Sequence, residues 1–124
     1  MLKNRAFVLG LEGDLGGGKT TFTQGFAKGL GIKEKILSPT FLILRHFSIQ
    51  KSVFENFYHI DCYRITNFRE ILTFGFRKII SNPKHIVVVE WAERIRKTIP
   101  KNTQRIRFEF LSKRKRRIKI LSDF

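Results

Sequence analysis

Residues Gly13-Asp14-Leu15-Gly16-Gly17-Gly18-Lys19-Thr20 match the pattern G-x-x-x-x-G-K-[ST] in full, and this restricts the local fold to strand, loop and helix. Glycines there let the backbone bend tightly and turn successive N–H groups inward, a nest for phosphate oxygens with no side chain in the way. Lys19 adds a point charge near the β- and γ-phosphates, and the Thr20 hydroxyl is placed to ligate Mg²⁺. Phe7-Val8-Leu9-Gly10-Leu11 upstream is a short apolar run, and Phe22, Phe26 and Leu30 downstream recur at helical spacing. An ordinary glycine-rich turn before a helix is the plainer reading, and the strand and helix on its flanks weigh against it.

A length of 124 residues predicts one folded domain spanning 1–124, and a hydrophobic content of 42% with 13 phenylalanines excludes a wholly disordered chain. The excess of 25 Lys and Arg over 10 Asp and Glu, a net charge of +15, favours phosphate-rich or acidic partners without selecting among them. Cys62 is the single cysteine, so neither an intramolecular disulfide nor a cysteine-based metal site can form. The N-terminal apolar run is cut short by Glu12 and Asp14, unlike a secretory leader, and no stretch approaches the ~20 apolar residues of a membrane span. A cytoplasmic protein without membrane contact is expected.

The chain reads as an α/β fold. A strand over about residues 5–11 feeds the loop, and a helix from Lys19 to about Leu30 leaves it, closed by Gly29 and Gly31. Gly25 inside that helix points to close packing against a sheet. Pro39 favours a turn or extended chain at Ser38 to Phe41. Two β-like runs, 41–47 and 54–60, form an antiparallel hairpin, and Asn67 with Glu70 reads as a capping box starting a short helix near Phe68. Ile86 to Val89 is a strand buried on both faces. Residues 92–99 are expected to be helical, and 105–111 with 116–121 form a second hairpin joined at Ser112 to Lys115. Twelve basic residues lie between Arg94 and Lys119, opposed within that span by Glu109 alone.

Hydrolysis on such a loop needs a carboxylate for Mg²⁺ and a group that positions the attacking water. Glu90, at the end of the buried strand, has the position for the first; its plainer reading is a residue at a helix start. Asp61, at another strand end, is the second candidate and reads equally well as a solvated turn residue. Glu93 is expected on the surface, paired with Arg96 or Lys97. Thr40 reaches the metal or γ-phosphate if the Ser38 to Phe41 loop folds over the site. His46, His59 and His85 show no zinc-like spacing and read as structural or surface groups. Trp91 reads as a packing residue.

Taken together these motifs resemble the TsaE (YjeE) family, the ATPase component of bacterial tRNA threonylcarbamoyladenosine synthesis. The residues that carry the resemblance are Gly13 to Thr21, Gly29-Leu30-Gly31, Ser38-Pro39-Thr40-Phe41, Tyr58-His59-Ile60-Asp61-Cys62-Tyr63-Arg64 and Glu90-Trp91-Ala92-Glu93, in family order. The resemblance implies a P-loop NTPase-like mixed β-sheet flanked by helices, with ATP and Mg²⁺ as cofactors and slow, partner-stimulated hydrolysis. It also implies docking on the TsaB–TsaD heterodimer, where TsaD modifies an adenosine of tRNA next to the anticodon. Mapped onto this chain, Gly13, Asp14, Leu15, Gly16, Gly17, Gly18, Lys19, Thr20 and Thr21 bind the nucleotide, and Thr20 and Glu90 serve Mg²⁺. Thr40 and Asp61 belong to a switch-like region near the γ-phosphate, and Trp91 to the neighbouring wall. Gly17 stands where alanine is usual and Ala92 where proline is usual. Family members carry a further N-terminal segment before the first strand, whereas here the loop begins at residue 13.

Two other readings compete. A small-molecule P-loop kinase shares the strand, loop and helix, but lacks a use for the motifs at 38–41 and 61–64. A nucleic-acid-binding module would use the basic C-terminal hairpin, which is also where direct contact with tRNA is expected, yet no aromatic-interleaved RNA motif is present.

Overall fold

The structure is a computed structural model, and it describes residues 4–121 except 15, 17, 37–42, 51 and 102. Six strands form one mixed sheet in the order β2-β3-β4-β1-β5-β6. Strand β1 (Phe7–Gly13) lies between β4 (His85–Glu90) and β5 (Gln104–Ser112), parallel to both, and β3 (Asn56–Asp61) runs parallel to β4 on the far side. Antiparallel partners, β2 (Leu44–Ser48) on β3 and β6 (Lys115–Leu121) on β5, close the two edges. Both expected hairpins are therefore present; of the first expected strand, residues 41 and 42 lie outside the described residues.

Helix α1 (Lys19–Gly29) covers one face of the sheet with Leu9, Leu11, Ile86, Val88, Ile106 and Phe108 beneath it. The other face, carrying Val8, Ile60, Val87 and Val89, is covered by α2 (Arg69–Leu72), α3 (Phe76–Ile80) and a 3-10 turn at Ala92–Ile95. Alternate residues of β4 thus enter opposite layers, which is why Ile86 to Val89 carries no polar position. On α1 the fully buried line is Lys19, Thr23 and Ala27, one residue every turn. Phe22 and Phe26 flank it half-buried, Phe22 edge-on to Phe108 and Phe26 against Phe57. Helix α1 ends as expected: Gly31 N–H donates to Lys28 O (3.0 Å) and Ile32 N–H to Ala27 O (3.1 Å), with Gly31 at φ 83°.

Three local expectations are corrected. Gly25 faces open space, with nothing within 4 Å of a Cβ built there, so it does not mark close packing on the sheet. Asn67 Oδ1 does accept from a helix-start N–H, that of Arg69 (2.9 Å), but the Glu70 carboxylate takes the Thr66 hydroxyl (3.0 Å) instead of reaching back to complete the box. After β4 the chain makes a single 3-10 turn in place of a helix over 92–99, because Trp91 enters the left-handed region (φ 59°) and redirects it.

Candidate functional site

Parallel pairing brings the carboxyl ends of β1, β3 and β4 to one edge of the sheet, with Leu11 and Asp61 both registered on Glu90. The glycine-rich loop leaves β1 at that edge and turns into α1. Gly13 is required sterically: a Cβ there would lie 2.0 Å from the Phe108 carbonyl oxygen of β5, and its φ of 116° is one that other residues avoid. Gly18, at φ 108°, makes the reversal into the helix. Neither a side-chain cap nor an acidic residue occupies the first turn of α1, so its first N–H groups face the loop without a carboxylate of their own.

Lys19 folds back over the loop it follows. Its Nζ donates to Gly13 O at 2.9 Å and Asp14 O at 2.7 Å and sits 4.0 Å from the centre of the Trp91 ring. Burial pushes its pKa below the ordinary lysine value, against the opposing pull of Glu93, Glu90, Asp14 and Asp61. Thr20 Oγ1 donates to Glu90 Oε1 at 2.9 Å, so the two groups singled out for a metal stand side by side. The other Glu90 oxygen is bonded by His59 Nε2 at 2.5 Å and by Thr23 Oγ1 at 3.4 Å, and both His59 and Glu90 are 2% exposed.

Asp61 ends β3 beside Glu90 and is half-buried; its Oδ1 accepts from Tyr63 N–H at 3.0 Å, the bond of an Asx turn. Trp91 packs against Tyr63 with ring centres 5.1 Å apart, and the Arg94 guanidinium lies over both rings. Gly13, Asp14, Gly16, Gly18, Lys19, Thr20, Asp61 and Glu90 thus gather at one edge, with Thr21 exposed on the first turn of α1. Leu15, Gly17 and Thr40 lie outside the described residues.

Two residues read as peripheral belong to this edge. Glu93 turns inward on the 3-10 turn, where its Oε2 accepts from Gly13 N–H at 3.2 Å and its Oε1 is buried without a hydrogen bond among the described residues. The left-handed Trp91 that sets this turn is what no spacing rule displays. His59 is the second. It lies on the β3 face that looks toward α1, paired in the parallel register with Val88, from where its ring reaches diagonally to Glu90 two residues on. Of the other histidines, His85 is buried with Nδ1 on Ile79 O (2.8 Å), and His46 is exposed and bonded to Asn56. Burial pushes the Cys62 thiol up to about 12, with Asp61 adding to the effect, which leaves it inert as a nucleophile.

A glycine loop between a central parallel strand and a helix, with an acidic residue ending the next strand, defines a P-loop NTPase-like α/β protein. The family model described as "Threonylcarbamoyl adenosine biosynthesis protein TsaE" matches residues 1–118, and the chain belongs to the TsaE family. The tRNA threonylcarbamoyladenosine biosynthesis protein TsaE of Bacillus subtilis is 42% identical over 99 residues, 80% of this chain and 59% of that protein. Its counterpart from Treponema pallidum is 34% identical over 113 residues, 91% of this chain and 80% of that one. The crystal structure of B. subtilis YdiB superposes with a TM-score of 0.69 at 33% identity, over 96% of this chain and 70% of that one. The chain therefore spans 59% of the length of one curated relative and 80% of the other.

Proposed function

We propose that this chain is a Mg²⁺-dependent ATPase subunit that supports threonylcarbamoyl modification of adenosine in tRNA, acting in the cytoplasm with the TsaB–TsaD heterodimer. The observation that carries the reading is the Thr20 Oγ1–Glu90 Oε1 hydrogen bond of 2.9 Å at the mouth of the glycine loop. A hydroxyl and a carboxylate side by side next to a phosphate nest are the donor set that Mg²⁺ takes in such proteins, its remaining positions being filled by phosphate oxygens and water.

The chain's own groups supply the rest. The loop from Gly16 onward and the first turn of α1 bind phosphate through N–H groups, those of Gly13 and Asp14 being taken by Glu93 and Phe108, and Lys19 exchanges its two loop carbonyls for phosphate oxygens. Glu90 is oriented by His59 and Thr23. Asp61, beside it, orients water, and Thr40 serves the γ-phosphate as a switch group. When bound, Mg²⁺ neutralises charge developing on the transferred phosphoryl group. The motifs Ser38 to Phe41 and Asp61 to Arg64, for which a metabolite kinase has no use, favour this reading.

Co-purification with TsaB and TsaD, with and without ATP, tests it. Retention of this chain on the heterodimer in a nucleotide-sensitive way is expected, together with slow hydrolysis and no phosphorylated metabolite. Rapid phosphoryl transfer to a small molecule, with no retention, contradicts it.

A further inference from the structure

The β5–β6 hairpin touches the glycine loop where the β1–β5 ladder ends at Gly13 and Phe108, and again beyond it. Asp14 N–H donates to Phe108 O (3.0 Å), and Phe110 N–H donates to Asp14 Oδ2 (3.1 Å). From the far strand, Arg116 Nε donates to Gly16 O at 2.8 Å. The same guanidinium donates from Nη1 to Ser112 O (2.6 Å) and Lys115 O (3.1 Å), and lies 4.4 Å over the Phe110 ring. An exposed arginine is thus fixed by three carbonyls and an aromatic face, with one of the carbonyls belonging to the phosphate loop. Its Nη2 carries no hydrogen bond to the described residues.

We propose that Arg116 is a positioning residue for the glycine loop, holding the Gly16 carbonyl in place and keeping a positive charge beside the phosphates of a bound nucleotide. Nucleotide affinity then depends on the hairpin. This rests on the nucleotide reading above. Arginine suits the task because its planar fork reaches separate acceptors while stacking on Phe110, whereas a lysine offers a single nitrogen. The turn neighbour Arg114 serves as a control: it carries the same charge, and its backbone N–H donates to Ser112 Oγ at 3.3 Å, within the turn.

The test is equilibrium titration of the full chain with ATP and with ADP in Mg²⁺ at fixed ionic strength, alongside thermal melting. Arg116→Ala is expected to weaken both nucleotides about tenfold with its melting temperature little changed, as for one charge-assisted contact near the ligand. Arg116→Lys is expected to recover only a minor part of the loss, and it is a sufficient test by itself if the alanine variant melts at the assay temperature. Arg114→Ala is expected to stay within about twofold of the wild type. Wild-type affinity in Arg116→Ala, full recovery in Arg116→Lys, or an equal loss in Arg114→Ala overturns the proposal while leaving the nucleotide site standing. A folded wild type that binds no ATP removes the site reading and this inference with it.

Discussion

Lys19 is 5% exposed, and a cation so enclosed needs partners at every donor. It finds two carbonyls and an indole face, yet burial still depresses its pKa despite the surrounding carboxylates. The sign of the consequence follows from proton counting. Between the lowered value of the folded chain and the ordinary 10.5, the unfolded chain holds more protons than the folded one, so this residue makes stability rise with pH across that window. Below the window the cost of burying the charge is present in full. Lys19→Met is expected to remove that alkaline gain in urea unfolding measured from neutral pH upward, and to weaken ATP binding by at least about tenfold. An unchanged alkaline slope in the variant contradicts the assignment. The place of Lys19 at the loop is legible in the sequence because the G-K-[ST] run fixes it on the chain. Glu93 and His59 are not, because a left-handed Trp91 and the β3–β4 register bring them in, and neither leaves a local pattern.

At the scale of elements, β1 and β5 are joined just beneath the loop by Glu12, which is 2% exposed and bonded by Arg105 (2.9 Å) and Arg107 (2.6 Å). Burial alone raises the Glu12 pKa, and the hydrogen bonds and charges of Arg105 and Arg107 more than offset that, leaving it below 4.5. A depressed carboxylate contributes stability that is present above its unfolded pKa and is lost as pH falls through its folded one. Glu12→Gln is expected to destabilise the protein by about 1–3 kcal/mol at neutral pH and to reduce its acid sensitivity below pH 4.5, read by urea unfolding at several pH values. Equal stability of variant and wild type at neutral pH contradicts this role. The strands themselves are legible: β4 from its β-branched run, the β5–β6 hairpin from its alternation, and β1 from the run before the loop. The Glu12 tie is hidden because it depends on Gly10 and Glu12 being registered on Arg105 and Arg107 across the parallel pair. Gly25 misled for the opposite reason, since a glycine within a helix signals close approach only when something is there to approach.

The whole molecule places its chemistry at one edge of the sheet and its charge on the last hairpin. Strand β6 is exposed along almost its whole length, and its Arg117 and Lys119 pair with the neighbouring Glu109. The same hairpin reaches the glycine loop through Phe108, Phe110 and Arg116, so the basic surface and the phosphate nest are one connected unit. No helix among the described residues is long and apolar enough to cross a membrane. The hydrogen-bonded pair Thr20–Glu90, proposed to hold Mg²⁺, lies at this edge, and the most direct measurement is calorimetric titration of ATP with and without Mg²⁺ into the wild type and Glu90→Gln. Mg²⁺ is expected to tighten ATP binding to the wild type by about tenfold or more and to have little effect on Glu90→Gln, with both proteins folded. An equal Mg²⁺ effect in the two proteins would contradict the assignment of Glu90 to the metal.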